Sequence, residues 1–170
     1  ALGVEIRTDE HGEVLARGNT VMEGYWNQPE ETAKAIVNGW FHTGDGGTVN
    51  DASYLTIADR KKDVIISGGE NVSSIEVEDA LFSHAAVAEV AVIGIPHEKW
   101  GETAMAIVVR TPGTDVTEQE IIDFSRERLA RFKCPTRVEW IDVLPRNPSG
   151  KVLKKDLREP YWVGHERRVN

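Results

Sequence analysis

The sequence predicts an α+β fold in two parts. Residues 1–61 read as a strand-rich piece, a partial β-barrel or sheet. Residues 62–160 read as a compact α+β domain whose small mixed sheet is flanked by helices, and 161–170 as a tail. Three observations predict this. Up to Ala58 the chain alternates short apolar–polar runs with Gly, Asn and Asp turns, the rhythm of strands and tight loops. After residue 63 that rhythm lengthens into helices with sequence-encoded caps and long apolar strands. Between the two lies the stretch 59–71, Asp-Arg-Lys-Lys-Asp-Val-Ile-Ile-Ser-Gly-Gly-Glu-Asn. Exposed charge there passes into a β-branched strand core and then into two glycines, which accept backbone angles that other residues resist. Such a junction suits a hinge beside an anionic ligand, or an ordinary charged turn before a core strand.

Each element has its own signal. Val4 and Ile6 alternate with polar neighbours, Asp9-Glu10-His11-Gly12 reads as a turn, and 13–17 as the returning strand. Gly24-Tyr25-Trp26-Asn27 reads as a short extended piece. Pro29 sits where a helix start tolerates it, opening a helix over 30–37. Asn38-Gly39 turns the chain into 40–45, and 54–58 is a strand. Ser73 with Glu76, three residues on, predicts a capping box for a helix through about His84. Runs at 87–95 and 103–111 are buried strands linked by 96–102, and Pro112-Gly113 turns the chain. Thr117 with Glu120 predicts a second capping box, for a helix with Ile121, Ile122, Phe124 and Leu129 as its apolar positions. A strand at 137–142, a loop at 145–151, a short helix at 152–159 and a frayed end at 164–170 complete the chain.

Composition bounds the class. A chain of 170 residues, 40% hydrophobic and 28% charged, is that of a soluble globular protein. At that size it buries roughly 70% of its unfolded surface, so one domain, or one plus a fragment, is expected. No apolar run approaches the ~20 residues of a membrane span, and no signal peptide opens the sequence. The single cysteine, Cys134, excludes an internal disulfide and suits a reducing cytoplasm. It has no activating histidine close in sequence and reads as a buried bystander. The chain begins at Ala1 already in strand-like sequence, so truncation is expected. Residues 1–125 hold 8 Lys and Arg against 22 Asp and Glu, net −14, whereas 126–170 hold 12 against 6, net +6. Overall acidity argues against nonspecific nucleic-acid binding. The basic quarter could serve a small polyanion such as a nucleotide, or be a solvated helix face. The five histidines lack metal-ligand spacing, and no resident metal is expected.

Three segments, in this order and spacing, resemble the acyl-CoA synthetases of the adenylate-forming (AMP-binding) superfamily: Gly39-Trp40-Phe41-His42-Thr43-Gly44-Asp45, the stretch 59–71, and Pro145-Arg146-Asn147-Pro148-Ser149-Gly150-Lys151. Gly24-Tyr25-Trp26-Asn27, Trp100-Gly101-Glu102 and Phe132-Lys133-Cys134-Pro135 support the match, which covers roughly residues 12–159. The resemblance implies the last third of a synthetase. Residues 1–61 would end the large N-terminal AMP-binding domain, and 62–160 would be the mobile C-terminal domain. The family's phosphate loop and acyl pocket would lie upstream, so the fragment alone is expected to be inactive. In that family a carboxylate attacks the α-phosphate of Mg-ATP to give acyl-adenylate and pyrophosphate. Coenzyme A thiol then displaces AMP, and the C-terminal domain rotates between the two steps.

The same resemblance assigns roles residue by residue. Asp45 matches the carboxylate that holds the ATP ribose; the plain alternative is a Thr-Gly-Asp turn. Arg60 matches an arginine that reaches the nucleotide; the alternative is a surface pair with Asp59 or Asp63. Trp40 and Ser67 would shape the nucleotide side. Lys62 falls on the hinge position, where the backbone matters more than the side chain. Lys151 matches the lysine of adenylation, whose ammonium would offset charge developing between substrate carboxylate and α-phosphate; the alternative is one more lysine beside Lys154 and Lys155. Gly150 before it would permit a mobile loop. Gly68 and Gly69 resemble glycines that line the pantetheine tunnel, and Phe132 and Lys133 residues near the coenzyme A nucleotide; a core aromatic is the alternative for Phe132. The departures are Ser73-Ser74, where many relatives have an aromatic and a proline, and Cys134, where some carry a basic residue.

The implied co-substrates are ATP with its Mg2+, coenzyme A and a carboxylic acid, fatty or related; the implied partner is the N-terminal domain of the same protein, in the cytoplasm. Two rival readings stand beside this one: an adenylation domain that loads a carrier protein, and a binding or regulatory module without catalysis. The sequence leaves the acid and the oligomeric state open.

Overall fold

The computed structural model describes residues 3–165. The chain forms two compact units, Ala1–Lys61 and Lys62–Asn170. In the first, β1 (Val4–Thr8) and β2 (Glu13–Gly18) form an antiparallel hairpin. Asp9 closes the hairpin turn, its carboxylate accepting from the backbone N–H groups of His11 and Glu13 at 2.9 and 2.8 Å. Helix α1 (Pro29–Ala35) leads into β3 (Ile36–Val37), β4 (Trp40–Val49) and β5 (Leu55–Arg60). The strands make one open antiparallel sheet in the order β1-β2-β4-β3, with β5 also paired to β4.

Two local expectations change here, and one element is added. Helix α1 stops at Ala35, before the expected Val37, because Ile36 and Val37 pair with Phe41 and Trp40. Asn38 and Gly39 connect them at φ 51° and 78°, the paired positive angles of a tight hairpin turn. Gly24 to Asn27 does not form a strand: Tyr25 to Gln28 is a turn closed by the Gln28 N–H on the Tyr25 carbonyl at 3.3 Å, with the Tyr25 N–H donating to Thr32 Oγ1 at 2.9 Å. The segment from Trp40 is a ten-residue strand in spite of Gly44, Gly46 and Gly47, because partners on neighbouring strands satisfy its backbone.

The second unit contains β6 (Ile65–Ser67), β7 (Glu70–Val72), α2 (Ser74–Phe82), β8 (Val87–His97), β9 (Gly101–Arg110), α3 (Glu118–Arg126), β10 (Arg137–Trp140) and α4 (Lys154–Arg158). Its sheet is mixed: β9 pairs antiparallel with β8 and β6 and parallel with β10. Alternate residues of β9 feed two cores. Ala104, Ala106 and Val108 pack with Val77, Leu81 and Ile121 of α2 and α3. Met105 and Ile107 pack with Leu144 and with Leu157 of α4.

The two expected caps differ. Thr117 and Glu120 make the full reciprocal box on α3. On α2 only half forms: Ser73 Oγ accepts from the Glu76 N–H at 3.4 Å, while the Glu76 carboxylate takes both its hydrogen bonds from Lys133 Nζ, at 2.6 and 2.7 Å. An ammonium within reach draws the carboxylate away from the helix end.

Past α4 a 3-10 turn, Glu159–Tyr161, packs back onto the sheet. The Tyr161 hydroxyl donates to the Glu139 carboxylate, and the Trp162 indole N–H donates to the Gly94 carbonyl at 2.9 Å. Burial first, then the Glu139 carboxylate, pushes the Tyr161 phenol up to about 12. Of the expected tail, 166–170 lie outside the described residues. No described helix is long and apolar enough to cross a membrane.

Leu81 is fully buried between α2 and the sheet. Leu81→Ala is expected to destabilise the second unit by about 2–5 kcal/mol, read by denaturant unfolding; a loss below about 1 kcal/mol would contradict a close-packed core at this position.

Candidate functional site

The predicted site residues fall into two sets, one on each unit. On the first unit Asp45 and Arg60 are register partners on β4 and β5, with Arg60 Nε 3.9 Å from Asp45 Oδ1. Both side chains are about half exposed, so a carboxylate and a guanidinium stand side by side and open to solvent. Together they offer acceptors for vicinal hydroxyls and donors for phosphate or ribose oxygens. Trp40 is engaged from within its own unit: the guanidinium carbons of Arg7 and Arg17 lie 4.3 and 4.5 Å from its ring centroid.

A buried carboxylate that the sequence reading missed lies behind Asp45. Glu13 is 5% exposed. Its Oε2 lies 3.0 Å from His42 Nδ1 and 3.5 Å from Lys61 Nζ, and its Oε1 accepts from the Gly44 N–H at 3.0 Å. Burial pushes the Glu13 carboxyl up, but the His42 ring, the Gly44 N–H and the Lys61 ammonium outweigh it and hold the group below its ordinary 4.5. Asp9, Glu13 and His42 bring ligand-type atoms within 4.8 Å of one another. The Lys61 ammonium supplies the positive charge at that point. In sequence these groups are 29 and 48 residues from Glu13, and no spacing motif joins them.

On the second unit, Lys62 is exposed, and its carbonyl accepts from Arg158 Nη1 at 3.4 Å. The same Arg158 nitrogen pairs with Asp63 Oδ1 at 3.2 Å, where both side chains are largely buried. Gly68 and Gly69 form the β6–β7 turn at φ 63° and 91°, a backbone that side chains strain. A Cβ at Gly68 would stand 3.5 Å from the Trp100 ring. Gly68 and Ser67 line a cavity of about 620 Å³ together with Trp100, Arg131, Phe132 and Thr136. Ser67, expected on the nucleotide side, therefore shares a cavity with Gly68 and Phe132 of the coenzyme A set. Phe132 is 44% exposed and is not a core aromatic. Arg131 and Trp100 are cavity residues that the sequence reading did not assign. Lys133 is held by Glu76, and Cys134 is buried.

Lys151 stands apart from that cavity. Its loop is a closed hairpin, bridged between Arg146 and Val152. The Asn147 side-chain oxygen accepts from the N–H groups of Ser149 and Lys151 at 3.1 and 2.9 Å and from Ser149 Oγ at 2.8 Å. Arg146 donates to the Gly150 carbonyl at 2.7 Å and pairs with Glu89. Gly150, at φ 83°, is required by the turn. The expected loose loop is thus a pinned one. The Lys151 side chain projects from it exposed, with no hydrogen-bond or ion-pair partner among the described residues.

Residues 76–151 match the AMP-binding enzyme C-terminal domain. The chain is 53% identical over 158 residues to a 3-[(3aS,4S,7aS)-7a-methyl-1,5-dioxo-octahydro-1H-inden-4-yl]propanoyl:CoA ligase of Rhodococcus jostii, covering 92% of this chain and 31% of that protein. It is 51% identical over 156 residues to the long-chain-fatty-acid–CoA ligase FadD13 of Mycobacterium tuberculosis, again covering 92% and 31%. Among solved structures, ATP-bound MatB from Rhodopseudomonas palustris superposes with a TM-score of 0.88 at 38% identity, over 96% of this chain and 35% of that one. The chain spans about a third of the length of the relatives it matches.

The Glu13 carboxyl gives the first unit a pH signature. A group whose pKa is lowered on folding stabilises the fold above its unfolded value and loses that contribution as pH falls through the folded one. Protection factors of the Gly44 and Lys61 amides, which correct for the intrinsic rate, are therefore expected to fall as pH drops below the ordinary 4.5. Glu13→Gln should abolish that extra acid dependence; an unchanged profile would show that the carboxylate does not brace these amides.

Proposed function

We propose that this chain, whose residues 76–151 match the AMP-binding enzyme C-terminal domain, is the C-terminal portion of an ATP-dependent acyl-CoA synthetase of the adenylate-forming enzymes, acting on fatty or related carboxylic acids. The observation that carries the reading is Lys151: an unpaired, exposed ammonium at the end of a hairpin fixed by Asn147 and Arg146. The higher identity to CoA ligases, 53% and 51%, than to a fatty acid–[acyl-carrier-protein] ligase, 44%, supports coenzyme A as the acceptor. The intact lysine hairpin speaks against a module without catalysis.

In the proposed reaction Asp45 and Arg60 hold the ribose and nearby oxygens of ATP, with Trp40 shaping that side, and Mg2+ arrives on the phosphates of ATP. The Lys151 ammonium sits between the substrate carboxylate and the α-phosphate while the carboxylate oxygen attacks phosphorus and pyrophosphate leaves. That charge is worth most where it meets charge developing in the transition state. Residues 1–61 then belong to the large nucleotide-binding domain and 62–160 to the domain that moves, with rotation at Lys62. In the thioester step the coenzyme A sulfur attacks the acyl carbonyl and AMP departs with the bonding electrons. Gly68 and Gly69 flank the thiol's path, and Phe132 and Lys133 meet the coenzyme A nucleotide once Lys133 exchanges Glu76 for phosphate. The N-terminal domain of the same protein supplies the acyl pocket.

In the full-length parent, Lys151→Ala is expected to lower the adenylation rate by about 10²–10³-fold while sparing thioester formation from supplied acyl-adenylate. Pyrophosphate release and acyl-CoA formation are the two readouts. Equal loss in both half-reactions would remove Lys151 from the adenylation step.

A further inference from the structure

We propose that Glu13 is a positioning residue of the nucleotide half-site, setting the place of Asp45 by holding the Gly44 peptide and Lys61 in one closed ring. The proposal rests on the reading of Asp45 as a ribose ligand.

The ring is closed by three contacts. Glu13 Oε1 takes the Gly44 N–H at 3.0 Å. The Gly44 carbonyl takes the Lys61 N–H at 2.8 Å. The Lys61 ammonium returns to Glu13 Oε2 at 3.5 Å. The two peptide planes that meet at Gly44 are thereby each held once, the one before Gly44 through its N–H by Glu13 of β2 and the one before Asp45 through its carbonyl by the residue after β5. Gly44 sits at φ 74°, so the strand bends here and Asp45 cannot be placed by regular pleating. The register between β2 and β4 shifts at the same point. Thr43 fixes the other side of the turn: its hydroxyl donates to the Val14 carbonyl at 2.7 Å, and its oxygen lies 3.1 Å from the Asp45 N–H. Asp45 thus inherits its position from backbone held by Glu13 and Thr43, with Arg60 across the register.

A buried carboxylate is a costly way to brace a sheet, since removing an ion from water costs several kcal/mol before its partners compensate. An apolar side chain would fill the same bulge without that cost. The carboxylate contributes what an apolar group lacks, a directional acceptor aimed at one N–H and a charge that fixes Lys61. The titratable and charged groups facing it are His42 from β4, Lys61 from beyond β5, and Asp9 at the hairpin turn. Glu13, only 5% exposed, acts through Gly44 and Asp45.

The test uses the full-length parent and compares Glu13→Ala and Glu13→Gln with Asp45→Ala. Glu13→Ala is expected to raise KM for ATP, and KM for supplied acyl-adenylate, by about 10-fold to 100-fold, with KM for the carboxylic acid and for coenzyme A unchanged. Glu13→Gln keeps an acceptor for the Gly44 N–H and should recover most of that loss. Should Glu13→Ala not fold, Glu13→Asp is read in its place, since it keeps the charge but falls a methylene short of Gly44. A rise in all four KM values, or a fall in kcat alone, would show a general structural role and overturn the proposal. Normal KM for ATP in Glu13→Ala or Glu13→Asp, with Asp45→Ala impaired, would also overturn it. Normal KM for ATP in Asp45→Ala would instead bring down the ribose reading.

Discussion

The second unit depends on one strand being satisfied on every side. β9 is hydrogen-bonded to β8 and β6 antiparallel and to β10 parallel, so its backbone polar groups are committed within the sheet. Its residues from Glu102 to Val108 are all buried. Period-two alternation then sends Ala104, Ala106 and Val108 to one core and Met105 and Ile107 to the other. That division decides where the functional pieces hang. Leu144 and Leu157, which bracket the Lys151 hairpin in sequence, belong to the Met105–Ile107 core. The cavity with Gly68 and Phe132 forms where β9 begins, at the Ser67–Gly101 pairing. The lysine hairpin and the cavity share no residue, so one sheet carries two separate candidate surfaces.

The junction between the units is held from each side independently. Within the first unit Lys61 is bound by its amide to Gly44 and by its ammonium to Glu13. Within the second, Arg158 binds the Lys62 carbonyl and the Asp63 carboxylate. A torsional change absorbed by bonds of residues 61 and 62 leaves both anchored groups in place. The proposed hinge at Lys62 thus needs no special side chain, only neighbours that are fixed.

Legibility in the sequence followed the range of the interaction. Local signals were readable: the β1–β2 hairpin from alternation around Asp9-Glu10-His11-Gly12, and the α3 cap from Thr117 and Glu120. Where a distant group competed, the local reading failed. Glu76 satisfied the sequence rule for a capping box, yet Lys133, 57 residues away, takes its carboxylate. The sequence assigned no element to 40–45, and pairing with β2 and β5 makes β4 a strand in spite of its glycines. Asp45, Arg60 and Lys151 could be nominated as site candidates because they sit in contiguous motifs. Glu13 could not, since its partners are brought together only by the sheet. Its one local trace is an acidic residue at the start of an apolar run, Glu13-Val14-Leu15, where all three side chains are buried.

The Lys151 hairpin bears on what must move. Three hydrogen bonds to the Asn147 side-chain oxygen, the bridge from Arg146 to Val152 and the clamp from Arg146 to Gly150 and Glu89 leave the hairpin little internal freedom. A short turn closed in this way preorganises its ammonium, which is what electrostatic stabilisation of a transition state requires. The same stiffness has a second effect. A loose loop could deliver a lysine to one reaction step and swing it clear for the next while the domain stayed still. A stiff hairpin rooted in the Leu144 and Leu157 core cannot, and the lysine travels only with the unit that carries it. On the proposed reading, any rotation between the two half-reactions is assigned to the hinge at Lys62 and not to this hairpin.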